Sequence, residues 1–112
     1  MKLRNIPTQQ PQPLAELISC RPGQVSSMSL LEGDPARSPL SMMLLSFAEG
    51  EHVSEEEYFG DTLYLLMEGS ARVVMPDRTV ELHAGDVFQV SAHVVHAIES
   101  ITSFKVLQMT LS

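Results

Sequence analysis

The chain has 112 residues, 44% of them apolar, and a formal net charge of −7. That length supports one compact domain with one core and leaves no room for a second. Seven Lys and Arg argue against a nucleic-acid surface, which needs clustered cations, and no run approaches the roughly 20 apolar residues that cross a bilayer.

The opening "MKLRNIPTQQPQP" lacks the apolar stretch of a secretion signal, so the expectation is a soluble cytoplasmic protein with no nucleic-acid and no membrane partner. Residues 1–13, rich in Gln and Pro and without apolar period, read as a flexible N-terminal arm, and 14–112 as a single domain. Leu14, Leu17 and Ile18 repeat at helical spacing before Pro22 and Gly23, which predicts one short helix. Cys20 is the only cysteine and has no partner for an internal disulfide; it reads as a small apolar side chain.

From residue 24 onward the chain is a series of strand-length runs separated by turn formers. Residues 25–31 end at "EGDPARSP", and 40–48 follow as an almost wholly apolar strand covered on both faces. Residues 62–67 and 71–75 flank Gly69, which predicts a bulge or sharp twist there, and "PDR" at 76–78 reads as a tight turn. Residues 79–82, 87–90, 96–99 and 104–111 complete eight strands, with "HAGD" and "SITS" as connections. Strands at this spacing, with no helical period between them, predict an all-β antiparallel sandwich, jelly roll or closed barrel.

The order of features, from Gly50 through a Glu-rich turn and "TLYLLMEG" to "LHAGDVFQVSAHVVHAI" and a last apolar strand, resembles the two motifs of the cupin superfamily. In that family the first motif carries Gly, His-x-His, Glu and Gly at set spacings. With Gly50 and Gly69 as its ends, the His-x-His positions fall on Glu56 and Tyr58, and the Glu position on Thr62. In the second motif, opened by Gly85 and Asp86, Ser91 takes the Pro position, His93 the Gly position, His96 the His position and Ser100 the Asn position. The resemblance covers about 24–111 and implies a double-stranded β-helix, a jelly roll of two sheets around a pocket. It does not imply one activity, since the superfamily spans enzymes, regulators and storage proteins.

Strand alternation puts Glu56 and Tyr58 on one side and Glu55 and Glu57 on the other. The same parity aligns Thr62 with Tyr64, and His96 with Ile98 and Ser100. The expected ligand-binding pocket is therefore lined by Glu56, Tyr58, Thr62, Tyr64 and His96. Its motif requires no cofactor, because the usual three-His, one-Glu set is gone. The alternative is a divalent transition metal held by His96 and Glu56 with water, and with Tyr58 or His93 as a further ligand. A phenol with its ordinary pKa near ~10 is a poor ligand for divalent ions at neutral pH, and Thr62 is poorer still.

Three functions follow as expectations. One is a small barrel that binds a small polar organic ligand; another is a metal-dependent enzyme of dioxygenase or isomerase type built around His96 and Glu56. A third is a filled barrel that serves only assembly. Each residue also has a plainer reading: His96 as an interior histidine satisfied by a backbone carbonyl, Glu56 as part of a solvated acidic loop, Tyr64 as packing, His52 and His83 as surface groups. Seven Met in so small a chain fit adaptable core filling. The run "PLSMMLLSFA" needs cover on both faces, which predicts a homodimer through the outer face of such strands.

Overall fold

A computed structural model describes residues 2–32 and 39–111. The turn cluster expected after β1 falls largely on residues 33–38, outside the described residues. The described chain forms a 3-10 turn at Leu14–Leu17 and nine strands: β1 Val25–Leu31, β2 Leu40–Phe47, β3 His52–Glu56, β4 Thr62–Glu68, β5 Ser70–Val74, β6 Thr79–His83, β7 Val87–Val90, β8 His96–Ser100 and β9 Phe104–Leu111. They pair antiparallel in two sheets, a five-stranded one in the order β1-β2-β9-β4-β7 and a four-stranded one in the order β3-β8-β5-β6. This is the two-sheet jelly roll that the cupin resemblance implies and one of the architectures that strand spacing leaves open. No helix among the described residues is long and apolar enough to cross a membrane.

The side chains between the sheets divide along the barrel. Phe47 and Phe104 stack with ring centroids 4.4 Å apart, and Leu66, Ala71, Val73 and Val106 close that end completely. Because strand side chains alternate, the same strands send Leu44 and Leu107 to the outer face of the five-stranded sheet. Here the N-terminal segment supplies cover: Leu14, Leu17 and Ile18 pack on Leu44, Leu107 and four methionines, Met28, Met42, Met67 and Met109. Part of the covering that the apolar β2 run demands therefore comes from the chain itself. Polar ties hold the segment down. Lys105 Nζ donates to Ala15 O at 2.7 Å, Ser46 Oγ to Ser19 O at 2.9 Å, and Arg4 N to Leu30 O at 3.0 Å. Cys20, exposed, contacts Phe47 O through its thiol.

Two local features differ from the sequence-based expectation. The predicted helix is a single 3-10 turn, since Pro13 precedes it and Ile18 already has extended backbone. The ninth strand, β3, is a sheet edge with mostly exposed residues, so it carries no apolar alternation to announce it. The irregularity expected near Gly69 is present: β4 shifts register against β9 between Leu66 and Glu68, and Gly69 takes φ +78° where a Cβ would strike the Ser103 carbonyl oxygen. The "PDR" turn closes the β5–β6 hairpin through Met75 N to Arg78 O at 2.8 Å.

Candidate functional site

The end of the barrel away from the stacked phenylalanines is hollow. There the inward positions of β2, β4 and β9 change from Leu45, Leu66 and Val106 to Met43, Tyr64 and Gln108, and the two sheets enclose a cavity of about 260 Å³. Val53, Met43, Leu45 and Ile98 give it apolar walls. Glu56, Tyr58, Tyr64, His96 and Gln108 supply its polar groups. A second cavity of about 600 Å³ adjoins it and opens toward Glu57 and Phe59, with Met43, Tyr58 and Gln108 lining both.

Four of the five expected pocket residues share the inner cavity. Glu56 and His96 stand directly opposite each other in the β3–β8 ladder. A bulge between Val53 and Glu56 brings this about, because it lets Val53 and Glu56 both line the cavity despite their odd spacing. Tyr58 follows just past the end of β3, and its ring lies 6.0 Å from that of His96 at 53°. Thr62 does not join them. At the first position of β4 it is buried opposite Thr110 of β9, and the two hydroxyls are 3.3 Å apart. Strand parity turns it inward, but at the level where β9 offers it another hydroxyl rather than open space.

His96 is almost fully buried, and both of its ring nitrogens have partners. Nδ1 lies 2.9 Å from Val94 O, an acceptor only, so Nδ1 carries the proton and donates. Nε2 of the neutral ring is then an acceptor, and the Tyr64 hydroxyl donates to it at 2.7 Å. The rings of Tyr64 and His96 meet edge-on, 5.7 Å apart at 74°. Burial pushes the Tyr64 phenol well above its ordinary range, with the neighbouring Tyr58 and Glu56 adding to the rise. Tyr58 is raised too, by burial first, while Gln108 opposes the shift and Glu56 adds to it. Both phenols are therefore protonated at neutral pH.

These donors do not fit the metal alternative. Nε2 of His96 is engaged by the Tyr64 hydroxyl, both phenols carry their protons at neutral pH, and Glu56 is the one carboxylate lining the inner cavity. His93 cannot complete the set, for it lies on the surface with Nδ1 3.3 Å from Glu57 and its ring edge-on to the exposed Phe59. Among the described residues no three of His, Cys, Asp and Glu gather in a way that could hold a metal ion. His93 has another use: at φ +67° it occupies the left-handed region that favours glycine, and its N–H donates to Tyr58 O at 2.8 Å, fixing the segment that carries the cavity phenol. His52 and His83 are exposed, the latter against Ser70 Oγ at 3.1 Å.

Gln108 is the functional residue that strand patterning misses. It is 6% exposed and is the one buried polar residue of β9, and a polar residue on the inward parity of Phe104 and Val106 was the available signal.

Among solved structures, this chain is similar to a cupin superfamily protein from Desulfitobacterium hafniense, with 48% identity, a TM-score of 0.92, and coverage of 99% of this chain and 98% of that one. It is also similar to a conserved protein of unknown function from Streptococcus pyogenes, at 19% identity and TM-score 0.92 over 100% and 95% of the two chains. A cupin 2 conserved barrel domain protein from Leptotrichia buccalis matches at 24% identity and TM-score 0.81, over 88% of this chain and 46% of that one. No family model matches the chain, and a search of curated proteins finds no match.

Proposed function

We propose, from the premise that this chain belongs to the cupin superfamily, that it is a barrel which binds a small polar organic ligand in its interior without the family's usual metal set. The observation that carries this reading is the hydrogen bond between Tyr64 and His96 Nε2, which occupies the nitrogen a metal would need, beside a mostly apolar cavity with a few convergent polar groups. Small-molecule sites have that composition.

The test is thermal denaturation against a broad metabolite panel, run beside elemental analysis of protein purified without chelator. A ligand that binds the folded state at a hundred times its Kd adds about 2.7 kcal/mol, a shift of several degrees for a domain of this size. The expected result is at least one such ligand and no stoichiometric metal. Stoichiometric metal lost in both His96→Ala and Glu56→Ala would replace this reading with the metal-dependent enzyme, and a silent panel would leave an assembly module.

The same proposal includes a homodimer. The N-terminal segment covers only part of the outer face of the five-stranded sheet, and Val87 and Leu111 remain 60% and 53% exposed beside a shallow apolar groove lined by Leu40, Leu63 and Met109. A second copy would bury that surface. Light scattering that shows a monomer at micromolar concentration removes this part.

A further inference from the structure

We infer that the ligand of this cavity is an organic cation, a small alkylammonium whose charged head sits between Glu56 and the rings of Tyr58 and Tyr64. The inference rests on the ligand-binding reading above and names the chemistry of what binds.

Charge is the first argument. Glu56 lines the inner cavity and Glu57 and Glu32 line the outer one, while no Lys or Arg among the described residues lines either. The described cations have partners elsewhere or face water. Arg72 pairs with Glu99 at 2.9 Å, Lys105 ties down Ala15 O, and Arg4 meets Glu32 at 3.4 Å on the far rim of the outer cavity. Among the described residues Glu56 therefore meets no Lys or Arg inside, and an anionic ligand would enter against like charge.

Hydrogen-bond inventory is the second. Two donors of the cavity are already engaged: the Tyr64 hydroxyl donates to His96, and His96 Nδ1 donates to Val94 O. What Glu56 and Tyr64 keep toward the cavity is acceptor capacity, two carboxylate oxygens and a phenol lone pair, while the Tyr58 hydroxyl and the Gln108 amide can donate or accept. A ligand rich in donors satisfies these groups, and one that offers only acceptors does not.

Ring geometry is the third. The planes of Tyr58 and Tyr64 are inclined to His96 by 53° and 74° at centroid distances of 6.0 and 5.7 Å, so two phenol rings flank one small volume with a carboxylate at its rim. An ammonium head within about 6 Å of such ring faces gains cation–π attraction, more when desolvated, and the Met43, Leu45 and Ile98 walls take its alkyl chain. The volume of about 260 Å³ suits a ligand of this size.

The experiment compares n-butylammonium, n-butanol and butyrate, which share chain length and differ in charge. Binding to the intact protein is followed by calorimetry and by the NMR signals of the His96 ring. Butylammonium should bind at least tenfold more tightly than either other probe. Glu56→Gln should abolish that preference while leaving the melting temperature near wild type, and Glu57→Gln should retain it. Preference for butanol or butyrate overturns the charge assignment alone and leaves the ligand-binding reading standing. Selectivity that survives Glu56→Gln overturns the assignment of the head group to this carboxylate. Competition by zinc alone, with stoichiometric uptake, would make the site a metal site and overturn both. Failure of all three probes overturns the cation inference, and the metabolite panel then decides the broader reading on its own.

Discussion

The two ends of the barrel are built by the same strands and behave as different materials. In β9, Phe104 and Val106 face the closed end and Gln108 and Thr110 the open one; in β4, Leu66 faces the closed end and Tyr64 the hollow. Two residues of strand separate a side chain packed against apolar neighbours from one that lines a cavity. The closed end holds the sheets together by packing alone. The open end holds its shape by hydrogen bonds among a few polar groups, each of which must stay satisfied. Close packing and the cavity's polar groups are thereby concentrated at opposite ends, and substitutions can separate their effects.

The largest expected effect lies at the closed end. Phe104 is 1% exposed and stacked on Phe47, so Phe104→Ala leaves a cavity between the sheets that packed backbone cannot fill. The expected loss is about 3–5 kcal/mol, read by urea denaturation, a large share of the stability of a domain this size. A loss under about 1 kcal/mol would show that the stack does not anchor this end and would break the contrast between the two halves.

A smaller and chemically different effect is expected from Tyr64→Phe. The ring remains, but His96 Nε2 loses its donor while buried, at a cost of about 1–3 kcal/mol. The pH dependence gives a second signature. Burial raises the Tyr64 pKa above its unfolded value of ~10, so between those two values the folded state binds more protons than the unfolded one. The corresponding stability is fully present below pH ~10 and is lost as pH rises through the window toward the folded value. Wild type should weaken with alkali across that window, and Tyr64→Phe should weaken less steeply. An identical alkaline limb in the two proteins would place the titration elsewhere.

The closed end was more legible in the sequence than the open one, for a physical reason. Packing follows alternation, which a sequence displays: the apolar run 40–48 and the glycine at 69 do in the structure what their residue types require. The polar end depends on register. No sequence pattern shows the bulge that turns Val53 and Glu56 to one side, or that Thr62 meets Thr110 rather than the cavity. The spacing of Leu14, Leu17 and Ile18 suits one 3-10 turn as well as a helix, so the hydrophobic period could not choose between them. Glu56, Tyr58, Tyr64 and His96 were placed together by strand parity and by the motif positions of the cupin resemblance. The state of His96 was not accessible that way, because it depends on which proton lies between it and Tyr64.

The smallest expected effect on stability, from Glu56→Gln, is the sharpest test of the open end. Glu56 is an exposed rim residue of an edge strand, so the substitution should move the unfolding free energy by no more than about 0.5 kcal/mol. Its charge nevertheless raises the pKa of both phenols, and the chain has only two tyrosines. Removing the charge should lower the alkaline midpoint of phenol ionisation in an ultraviolet titration, and repeating it in Tyr64→Phe isolates the share that belongs to Tyr58. Desolvation remains the larger cause at both rings, so the midpoint should move down yet stay above that of an exposed tyrosine. If the curve does not move at all, the carboxylate points away from the rings. The negative pole on which the proposed preference for cations rests would then be missing.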